Sequence, residues 1–296
     1  MFFSIVIPTY NRADLITETI RSVQNQKFDD WECIVIDDGS KDNTKEIVEN
    51  LIKKDKRIRY IYQENTERSA ARNNGIKNAL GEYICFLDSD DEFQPNHLSV
   101  LYTTIHASKE KNQVYYVDME VRTEENVKIV SDPLNGEDIF HFLCYHPLIP
   151  ARICAPSSIL KANLFDKDIV VVEDLILWLR LADFFSFRHI SESTVIYNLH
   201  GGNSVDLANT GFQKRLAGLK VFIKRYPSLW NKLLKKDQAF LIGNSHFGIA
   251  RHHIYHKRKW KAIKELILSV WFQKQHHQLK HKIYLILQLL KGNYEY

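Results

Sequence analysis

Three short, almost continuously apolar segments near the N-terminus constrain the fold of this chain more than any other feature. They span residues 4–7, 33–36 and 83–87. Strands that are covered on both faces have this composition, which is typical of parallel sheets. Helical patterns separate the segments, and residues 58–62 supply another candidate strand. The resulting β-α-β-α-β-α-β order predicts a doubly wound α/β sheet.

Polar clusters follow these apolar segments directly. Thr9, Tyr10 and Asn11 follow the first segment, the run Asp-Asp-Gly-Ser at 37–40 follows the second, and Asp-Ser-Asp-Asp at 88–91 follows the last. In α/β sheets of this kind, ligands bind at the carboxyl ends of the strands. The sequence therefore predicts a single binding edge built from three loops.

Asp88 and Asp90 flank Ser89 in a turn after a buried strand. Two carboxylates at positions i and i+2 can converge on one hard divalent cation, Mg²⁺ or Mn²⁺. Such a cation offsets the charge that develops on a nucleoside diphosphate as it leaves. The alternative is an acidic loop in which Asp90 or Asp91 caps the helix that begins near Pro95.

Four segments taken together resemble the family 2 glycosyltransferases of the GT-A fold, because their order and spacing match at the same time. They are SIVIPTYNR at 4–12, IDDGS at 36–40, ARNNG at 71–75 and FLDSDD at 86–91. The resemblance extends through residues 155–160 and 173–181, covers residues 1 to 204 and fades beyond them.

The resemblance implies a GT-A doubly wound, mostly parallel sheet in residues 1–206. A Rossmann-like nucleotide-binding half would occupy residues 1–110 and an acceptor half residues 111–206. The remaining residues, 207–296, have helical patterns only, and we expect them to form an all-helical C-terminal extension.

The resemblance also implies a nucleoside diphosphate sugar donor, with UDP or dTDP suggested by a carboxylate that can accept a hydrogen bond from a pyrimidine imide. The implied donor-binding residues are Pro8, Thr9, Tyr10, Asn11, Asp38, Arg72, Asp88 and Ser89. Asp38 would contact the base, and the planar fork of Arg72 would contact the diphosphate. The residues alone leave open a turn and helix cap for Asp37 and Asp38, and an exposed helix arginine for Arg72.

Catalysis and the acceptor are assigned by the same resemblance. Asp174 would remove the acceptor hydroxyl proton during transfer with inversion, with Glu173 supporting it or binding the acceptor. The alternative for both acids is stabilisation of a helix N-terminus. Trp178 could form an acceptor platform, although its helical spacing is more typical of a core residue. His200 would join Asp88 and Asp90 on the metal, and its alternative is a structural role.

The sequence departs from the family pattern at two places. A Gly that usually precedes Arg72 is replaced within residues 67–69, where Arg68 supplies either a second phosphate contact or a partner for Glu67. A Gly-rich segment that usually precedes the Glu-Asp pair is missing from residues 161–172. We therefore expect a reshaped acceptor site.

Charge is distributed unevenly along the chain. Residues 207–296 contain 18 Lys and Arg against 3 Asp and Glu, while residues 1–206 contain 22 against 33. The basic segment carries apolar stripes at helical spacing, formed by Trp260, Ile263, Ile267 and Val270 and by Ile283, Leu287 and Leu290. Such helices either lie on an anionic membrane surface or pack on the catalytic domain. Nucleic acid is a poorer partner, because the acidic remainder would repel it.

These observations predict an inverting, metal-dependent hexosyl- or N-acetylhexosaminyltransferase of bacterial surface-polysaccharide synthesis, whose acceptor is a hydroxyl of a saccharide or lipid-linked molecule. The alternatives are an inactive nucleotide-binding scaffold and a sugar-1-phosphate nucleotidyltransferase, although the first loop lacks the glycines that the latter needs. The sequence contains no apolar span of about 20 residues, no export signal and no cysteine pair at metal-binding spacing. We expect a cytoplasmic protein, peripheral on the inner face of the membrane if the tail binds lipid.

Overall fold

The computed structural model describes residues 1–110, 112–199, 210–273 and 278–291. Nine strands are found in these residues: β1 (Phe3–Thr9), β2 (Trp31–Asp37), β3 (Ile58–Tyr62), β4 (Tyr83–Phe86), β5 (Glu92–Phe93), β6 (Gln113–Arg122), β7 (Val127–Val130), β8 (Ile153–Pro156) and β9 (Ser186–Asn198). Each of the strands predicted from apolar segments coincides with one of them.

Twelve helices are found in the same described ranges. They are α1 (Ile16–Gln24), α2 (Thr44–Lys54), α3 (Glu67–Asn78), α4 (His97–Ala107), α5 (Ile139–Tyr145), α6 (Ser157–Ala162), α7 (Glu173–Ala182), α8 (Gly211–Arg225), α9 (Pro227–Lys232), α10 (Lys235–Tyr255), α11 (Lys259–Phe272) and α12 (Leu279–Leu290). A short 3-10 turn, Pro150–Arg152, precedes β8. The expected all-helical region after residue 207 is confirmed for its described part. None of the described helices is both long and apolar enough to span a bilayer.

The strands form one mixed sheet in the order β3-β2-β1-β4-β8-β6-β9-β5, with β7 paired to the edge of β6. The first four strands in this order are mutually parallel. Strand β8 then runs antiparallel to both of its neighbours, and β6 and β9 are again parallel. The predicted α/β class is confirmed, with parallel pairing concentrated in the N-terminal half.

Chain contacts divide the molecule into two compact units. The first comprises the described parts of residues 1–139, 146–167 and 177–200, and the second those of residues 140–145, 168–176 and 201–296. The second unit thus includes two short segments besides the C-terminal helices. The division at residue 206 expected from the sequence stays a prediction.

The core of the first unit explains why its strands are so apolar. Strands β1 and β2 are buried along nearly their whole length, so both faces of the sheet are covered. Helix α3 approaches β1 closely at Gly75, where a Cβ atom would overlap the side chain of Val6. This close approach fixes the position of α3 against β1, and with it the position of Arg72.

The second unit has its own apolar cluster, which holds α10, α11 and α12 together. Its buried members are Phe247, Ala250, Ile254, Ala262, Ile263, Leu266, Leu285 and Leu289. Each of the three helices contributes the residues of one face at helical spacing, as expected for a small bundle.

Candidate active site

The loops that follow β1 and β2 are tied together by hydrogen bonds. The Asp38 amide donates to the Thr9 carbonyl at 2.9 Å. The Asn11 amide donates to Ser40 Oγ at 2.9 Å, and the Lys41 amide donates to Asn11 Oδ1 at 2.8 Å. Asn11 adopts a left-handed backbone with a φ of 50°, which asparagine tolerates better than most residues. The first two polar clusters therefore form one surface.

Asp38 is buried and uses its two carboxylate oxygens differently. Its Oδ1 accepts hydrogen bonds from the Gln63 amide side chain at 2.7 Å and from the Thr66 backbone amide at 2.9 Å. Its Oδ2 accepts none from the described residues. One oxygen thus holds the segment before α3, and the other remains for a ligand.

Asp37, whose role the sequence left undecided, is a structural residue. Its Oδ1 accepts a hydrogen bond from the Ser40 amide at 2.8 Å, and its Oδ2 accepts one from the Tyr60 hydroxyl at 2.6 Å. Burial, followed by the bond to Asp37, raises the pKa of Tyr60, so the hydroxyl stays protonated as the donor. Both carboxylate oxygens of Asp37 therefore accept hydrogen bonds within the protein. Of the two acids, Asp38 is the one whose second oxygen could accept a hydrogen bond from a nucleobase.

The side chains at the end of β1 differ in exposure. Pro8 is half-buried, and Thr9 is buried with its Oγ1 unpaired in the described residues. Tyr10 is 46% exposed, so a face of its ring is accessible. Tyr10 follows Thr9, whose carbonyl accepts the Asp38 amide, and an accessible ring together with a carboxylate oxygen suits a flat heterocycle that both stacks and donates a hydrogen bond.

Arg72 and Asp88 form a short ion pair between α3 and the loop after β4. The guanidinium Nη2 donates to Asp88 Oδ1 at 2.7 Å, and it also lies over the Phe165 ring at 5.5 Å. Burial would raise the pKa of Asp88, but the charge and hydrogen bond of Arg72 outweigh it and lower that pKa. Asp88 is therefore ionised at neutral pH.

The remaining acids of this loop have distinct partners. Arg12 lies 3.3 Å from Asp90 Oδ2, which links the first and third polar clusters. Asp91 accepts a hydrogen bond from the Asn198 amide at 3.0 Å, while its buried Oδ2 has no partner among the described residues. Burial, with the charges of Asp88 and Asp90, raises the pKa of Asp91 to about 9. Three carboxyl groups thus crowd one turn, and one of them is neutral at pH 7.

The donor set of this turn fits a divalent cation. Carboxylate oxygens are the preferred ligands of Mg²⁺ and Mn²⁺, and the charges of Asp88 and Asp90 add to burial in raising the pKa of Asp91. Asp88 and Asp90 would hold the ion, with buried Ser89 between them. The described residues contain no group of three His, Cys, Asp or Glu side chains that could bind a metal. His200, the predicted third ligand, lies outside the described residues.

Glu173 and Asp174 begin α7 and belong to the second unit. Glu173 is buried, and Asp174 Oδ1 accepts a hydrogen bond from the Leu175 amide at 2.7 Å. In the same unit, burial lowers the pKa of Arg215, and the charge of Asp174 partly offsets this effect. Asp174 therefore has a cation near it as well as the helix N-terminus.

Trp178 is a core residue in this structure. It is 1% exposed, its indole N–H donates to the Leu148 carbonyl at 2.7 Å, and its ring meets Phe165 edge to face. A stacking platform for a sugar needs an exposed ring face, which Trp178 lacks. The structure therefore favours the core interpretation and removes this residue from the candidate acceptor site.

Sequence reasoning missed Arg12 and Asn198 as site residues. Arg12 stands directly after Asn11 in the first polar cluster, so its position was a usable signal. Asn198 donates to the Asp90 carbonyl through its side chain at 2.8 Å and to Asp91 through its backbone. Nothing in the sequence pairs residue 198 with residues 90 and 91, because the pairing follows from the position of β9 beside β5.

Comparison with known proteins places this arrangement in a family. Residues 4–153, which are half of the chain, match the family described as Glycosyl transferase family 2. An uncharacterised glycosyltransferase from Rickettsia felis is 30% identical over 76% of this chain and 38% of its own length. The chain spans about a third of the length of the first curated relatives that it matches.

Two further comparisons concern shorter or more distant similarity. A relative from Campylobacter jejuni, named GalNAc(5)-diNAcBac-PP-undecaprenol beta-1,3-glucosyltransferase, is 46% identical over 33% of this chain and 32% of its own length. The crystal structure of S. aureus TarS 1-349 in complex with UDP-GlcNAc superposes with a TM-score of 0.60 at 19% identity, over 94% of this chain and 93% of that one. The last similarity confirms the GT-A-like fold, and the family match over half of the chain shows that it belongs to glycosyl transferase family 2.

Proposed function

We propose that the chain is an inverting, metal-dependent glycosyltransferase that transfers a sugar from a UDP-sugar to a hydroxyl group of a saccharide or lipid-linked acceptor. One observation carries the donor half of this proposal. Asp38 after β2, Arg72 on α3, and Asp88 and Asp90 after β4 lie along one edge of the parallel strands. These groups match, in order, a base, a diphosphate and a cation.

The preference for UDP rests on Asp38 and on the neighbouring loop. Its free Oδ2 can accept the imide N–H of uracil, and Tyr10 offers a ring face for stacking. The guanine of GDP also has a ring N–H donor, which belongs to a lactam, and guanine is a larger base with two rings. The similarity to TarS, which binds UDP-GlcNAc, supports the same choice of nucleotide and a hexosyl or N-acetylhexosaminyl donor.

The diphosphate would lie between Arg72 and the acidic turn. When bound at Asp88 and Asp90, a Mg²⁺ or Mn²⁺ ion would supply positive charge to the leaving group. Arg72 would orient the same group, since its planar fork can make two parallel hydrogen bonds to phosphate oxygens. Arg12, paired with Asp90, is placed to add a second guanidinium.

Asp174 is proposed as the general base, with Glu173 as its supporting residue. The carboxylate would take the proton of the acceptor hydroxyl while that oxygen forms a bond to the anomeric carbon. The bond from that carbon to the diphosphate oxygen would break on the opposite face, and the leaving group would keep the electron pair. The place of Asp174 in the first turn of α7, with the charge of Arg215 near it, supports this role.

The acceptor class is proposed from the relatives. The C. jejuni relative is named for glucosyl transfer to an undecaprenol-linked saccharide. We propose that this chain likewise extends a saccharide of surface-polysaccharide synthesis at the cytoplasmic face of the membrane. Residues 1–206 would carry the chemistry, and residues 207–296 would form the basic helical region.

A thermal-shift panel tests the donor and metal assignments together. We expect UDP and UDP-sugars to stabilise the protein in Mn²⁺, and the shift to disappear with EDTA. Asp90→Asn and Asp88→Asn should lose the Mn²⁺-dependent part of the shift. Asp29→Asn is the matched control, because Asp29 is an acid with a 92% exposed side chain in another loop of the same unit. Equal shifts in Asp90→Asn and the control, or a preference for GDP, would contradict the assignment.

Turnover separates the enzyme from the alternative functions. We expect release of UDP from a UDP-sugar when an acceptor saccharide is added, and its loss in Asp174→Asn. Binding of UDP without any release would favour an inactive scaffold. Formation of a UDP-sugar from UTP and a sugar 1-phosphate would favour a nucleotidyltransferase.

A further inference from the structure

The last two helices of the second unit expose large apolar side chains to solvent. The set, which we name the α11–α12 surface, comprises Trp260, Ile267 and Trp271 on α11 and Ile283, Tyr284, Leu287 and Leu290 on α12. Trp260 is 72% exposed and Trp271 62%. A group of exposed apolar side chains of this size usually marks an interaction site.

The exposed residues form stripes that are separate from the buried faces of the same helices. On α11, Trp260, Ile267 and Trp271 recur at gaps of seven and four, which places them on one side of a helix. The buried residues Ile263 and Leu266 face the bundle instead. The apolar stripe read from the sequence therefore splits, with Ile263 in the core and Trp260 and Ile267 outside it.

Helix α12 repeats this division and lies beside α11. Ile283, Leu287 and Leu290 are exposed, whereas Leu285 and Leu289 are buried in the bundle. The Lys259 ammonium group donates a hydrogen bond to the Leu290 carbonyl at 3.2 Å, so the start of α11 adjoins the end of α12. The exposed residues Trp260 and Leu290 thus stand at the ends of α11 and α12 that this hydrogen bond joins.

Basic side chains surround these stripes. The exposed ones are Lys257, Arg258, Lys261, Lys264, Lys280 and Lys291. Lys264 lies within the α11 stripe itself, four residues after Trp260 and three before Ile267. Between residues 251 and 291 the sequence contains one acid, Glu265, which lies 2.6 Å from His246 Nδ1. The surface is therefore apolar and cationic at once.

We propose that the α11–α12 surface binds an anionic lipid bilayer, with the two helices lying in the plane of the interface. Trp side chains with Leu and Ile enter the region between headgroups and acyl chains favourably, and flanking lysines are attracted to anionic headgroups. A second copy of this chain is a poorer occupant because two surfaces of like charge repel each other. RNA is also a poorer occupant, since the exposed aliphatic side chains do not stack on bases as aromatic ones do.

Membrane binding does not depend on the proposed catalytic function. Only its use, which is to bring the chain to a lipid-linked acceptor, rests on that function. The test is therefore a binding measurement that contains no sugar nucleotide and no acceptor.

Vesicle co-sedimentation of the full chain tests the proposal. Vesicles of phosphatidylcholine alone are compared with vesicles of phosphatidylcholine and phosphatidylglycerol, at low and high salt. We expect binding to the anionic vesicles and weakening by salt, because screening shortens the reach of the lysines. The double variant Trp260→Ser/Trp271→Ser should bind about tenfold more weakly or worse. Lys261→Glu/Lys264→Glu should do the same, by the loss of headgroup attraction.

Matched controls separate this surface from general effects of exposure and charge. Phe184→Ser removes an aromatic side chain that is 77% exposed in the first unit. Lys27→Glu/Lys54→Glu makes the same charge change as the lysine pair, at exposed positions of the first unit. Both controls should sediment like the wild-type chain, and circular dichroism should show that all variants are folded.

Several outcomes would overturn the proposal. These are equal binding to neutral and anionic vesicles, unchanged binding of the tryptophan variant, or binding of RNA but not of vesicles. Release of UDP from a UDP-sugar, measured with a soluble acceptor saccharide, should be the same in the tryptophan variant and the wild-type chain. Loss of vesicle binding with retained UDP release thus distinguishes failure of the surface from failure of the proposed enzyme.

Discussion

Arg72 and Asp88 are hydrogen-bonded to each other, with 2.7 Å between Nη2 and Oδ1. The residue proposed for the diphosphate is thus the partner of a residue proposed for the cation. Arg72 is almost fully buried, so its charge acts in a region of low dielectric. Cation and diphosphate binding should therefore depend on the same pair.

Replacing Arg72 tests this dependence. We expect Arg72→Lys to weaken UDP binding in Mn²⁺ by about tenfold or more, because a single ammonium group cannot contact Asp88 and a phosphate as a fork does. Arg72→Ala should also lower the free energy of unfolding by about 2 to 3 kcal/mol, since Asp88 loses its partner; this is less than for a fully buried pair because Asp88 is 30% exposed.

The measurements for Arg72 are calorimetric titration with UDP and urea unfolding. Arg57→Lys is the control, because Arg57 pairs with Asp55 at a more exposed position of the same unit. Unchanged UDP affinity in Arg72→Lys would remove this residue from the donor site. Unchanged stability in Arg72→Ala would show that the pair does not hold α3 to the acidic turn.

The parts of the fold and site that the sequence predicted share a physical basis. Continuous apolar runs identify strands such as β2, and polar residues directly after them identify the binding edge, because both signals are local. The identity of the strand beside the acidic turn is not local. Asn198 reaches Asp91 only because β9 pairs with β5, so no spacing in the sequence could reveal this contact.

The sequence pattern also could not predict which side chains are buried. Trp178 and Asp37 became structural residues through partners such as Leu148 and Tyr60, which lie far away along the chain. On α11, a single apolar stripe in the sequence proved to serve two environments, with Ile263 buried and Ile267 exposed. The helix period predicts which residues share a side but not which side meets the core.

Asp174→Asn should separate binding from catalysis. The amide keeps an oxygen that can accept the Leu175 hydrogen bond but cannot take a proton at neutral pH. We expect turnover to fall by about 10² to 10⁴-fold, which is the usual contribution of a general base, with UDP affinity unchanged. Initial rates of UDP release and UDP titration measure the two quantities. Glu192→Gln, at an exposed position, is the control, and near-normal turnover of Asp174→Asn would require another base.

His97 should make the first unit sensitive to acid. Burial lowers the pKa of this histidine to about 3, its Nδ1 lies 2.8 Å from Thr194 Oγ1, and its ring stacks on Phe93. Because the folded-state pKa lies below the ordinary value of 6.5, the unfolded chain binds the proton first. The contribution of neutral His97 to the free energy of unfolding is therefore fully present above pH 6.5 and decreases as the pH falls toward 3. At pH 4 the free energy of unfolding should be lower by about 3 kcal/mol.

Urea unfolding between pH 7 and pH 4 measures this effect as a difference between variants. His97→Asn lacks the ring that titrates, so its stability should fall less steeply with acid than that of the wild-type chain. His106→Asn changes an exposed histidine of the same helix and should keep the wild-type slope. Identical slopes for all three proteins would mean that His97 is protonated in the folded state without penalty.

Helix α3 packs closely on β1 at Gly75, and this packing decides whether Gly75→Ala stabilises or destabilises the fold. At a solvent-exposed position of a helix, a Gly→Ala substitution would raise the free energy of unfolding by up to about 1 kcal/mol, because alanine has the higher helix propensity. Here the added Cβ would overlap Val6, and such overpacking costs about 1 to 3 kcal/mol. We therefore expect Gly75→Ala to destabilise the fold and to shift Arg72, which stands on the same helix, so that UDP binding weakens as well.

The overlap itself is tested by a double-mutant cycle with Val6→Ala, which removes the methyl groups that the new Cβ would meet. The double variant should be more stable than the sum of the single changes by about 0.5 kcal/mol or more, because the two side chains compete for one space. Lys77→Ala, at an exposed position of α3, should change stability little. Strictly additive changes in the free energy of unfolding for Gly75→Ala and Val6→Ala would show that α3 can move away from β1 without an energetic penalty. The close packing at Gly75 would then not explain the position of Arg72.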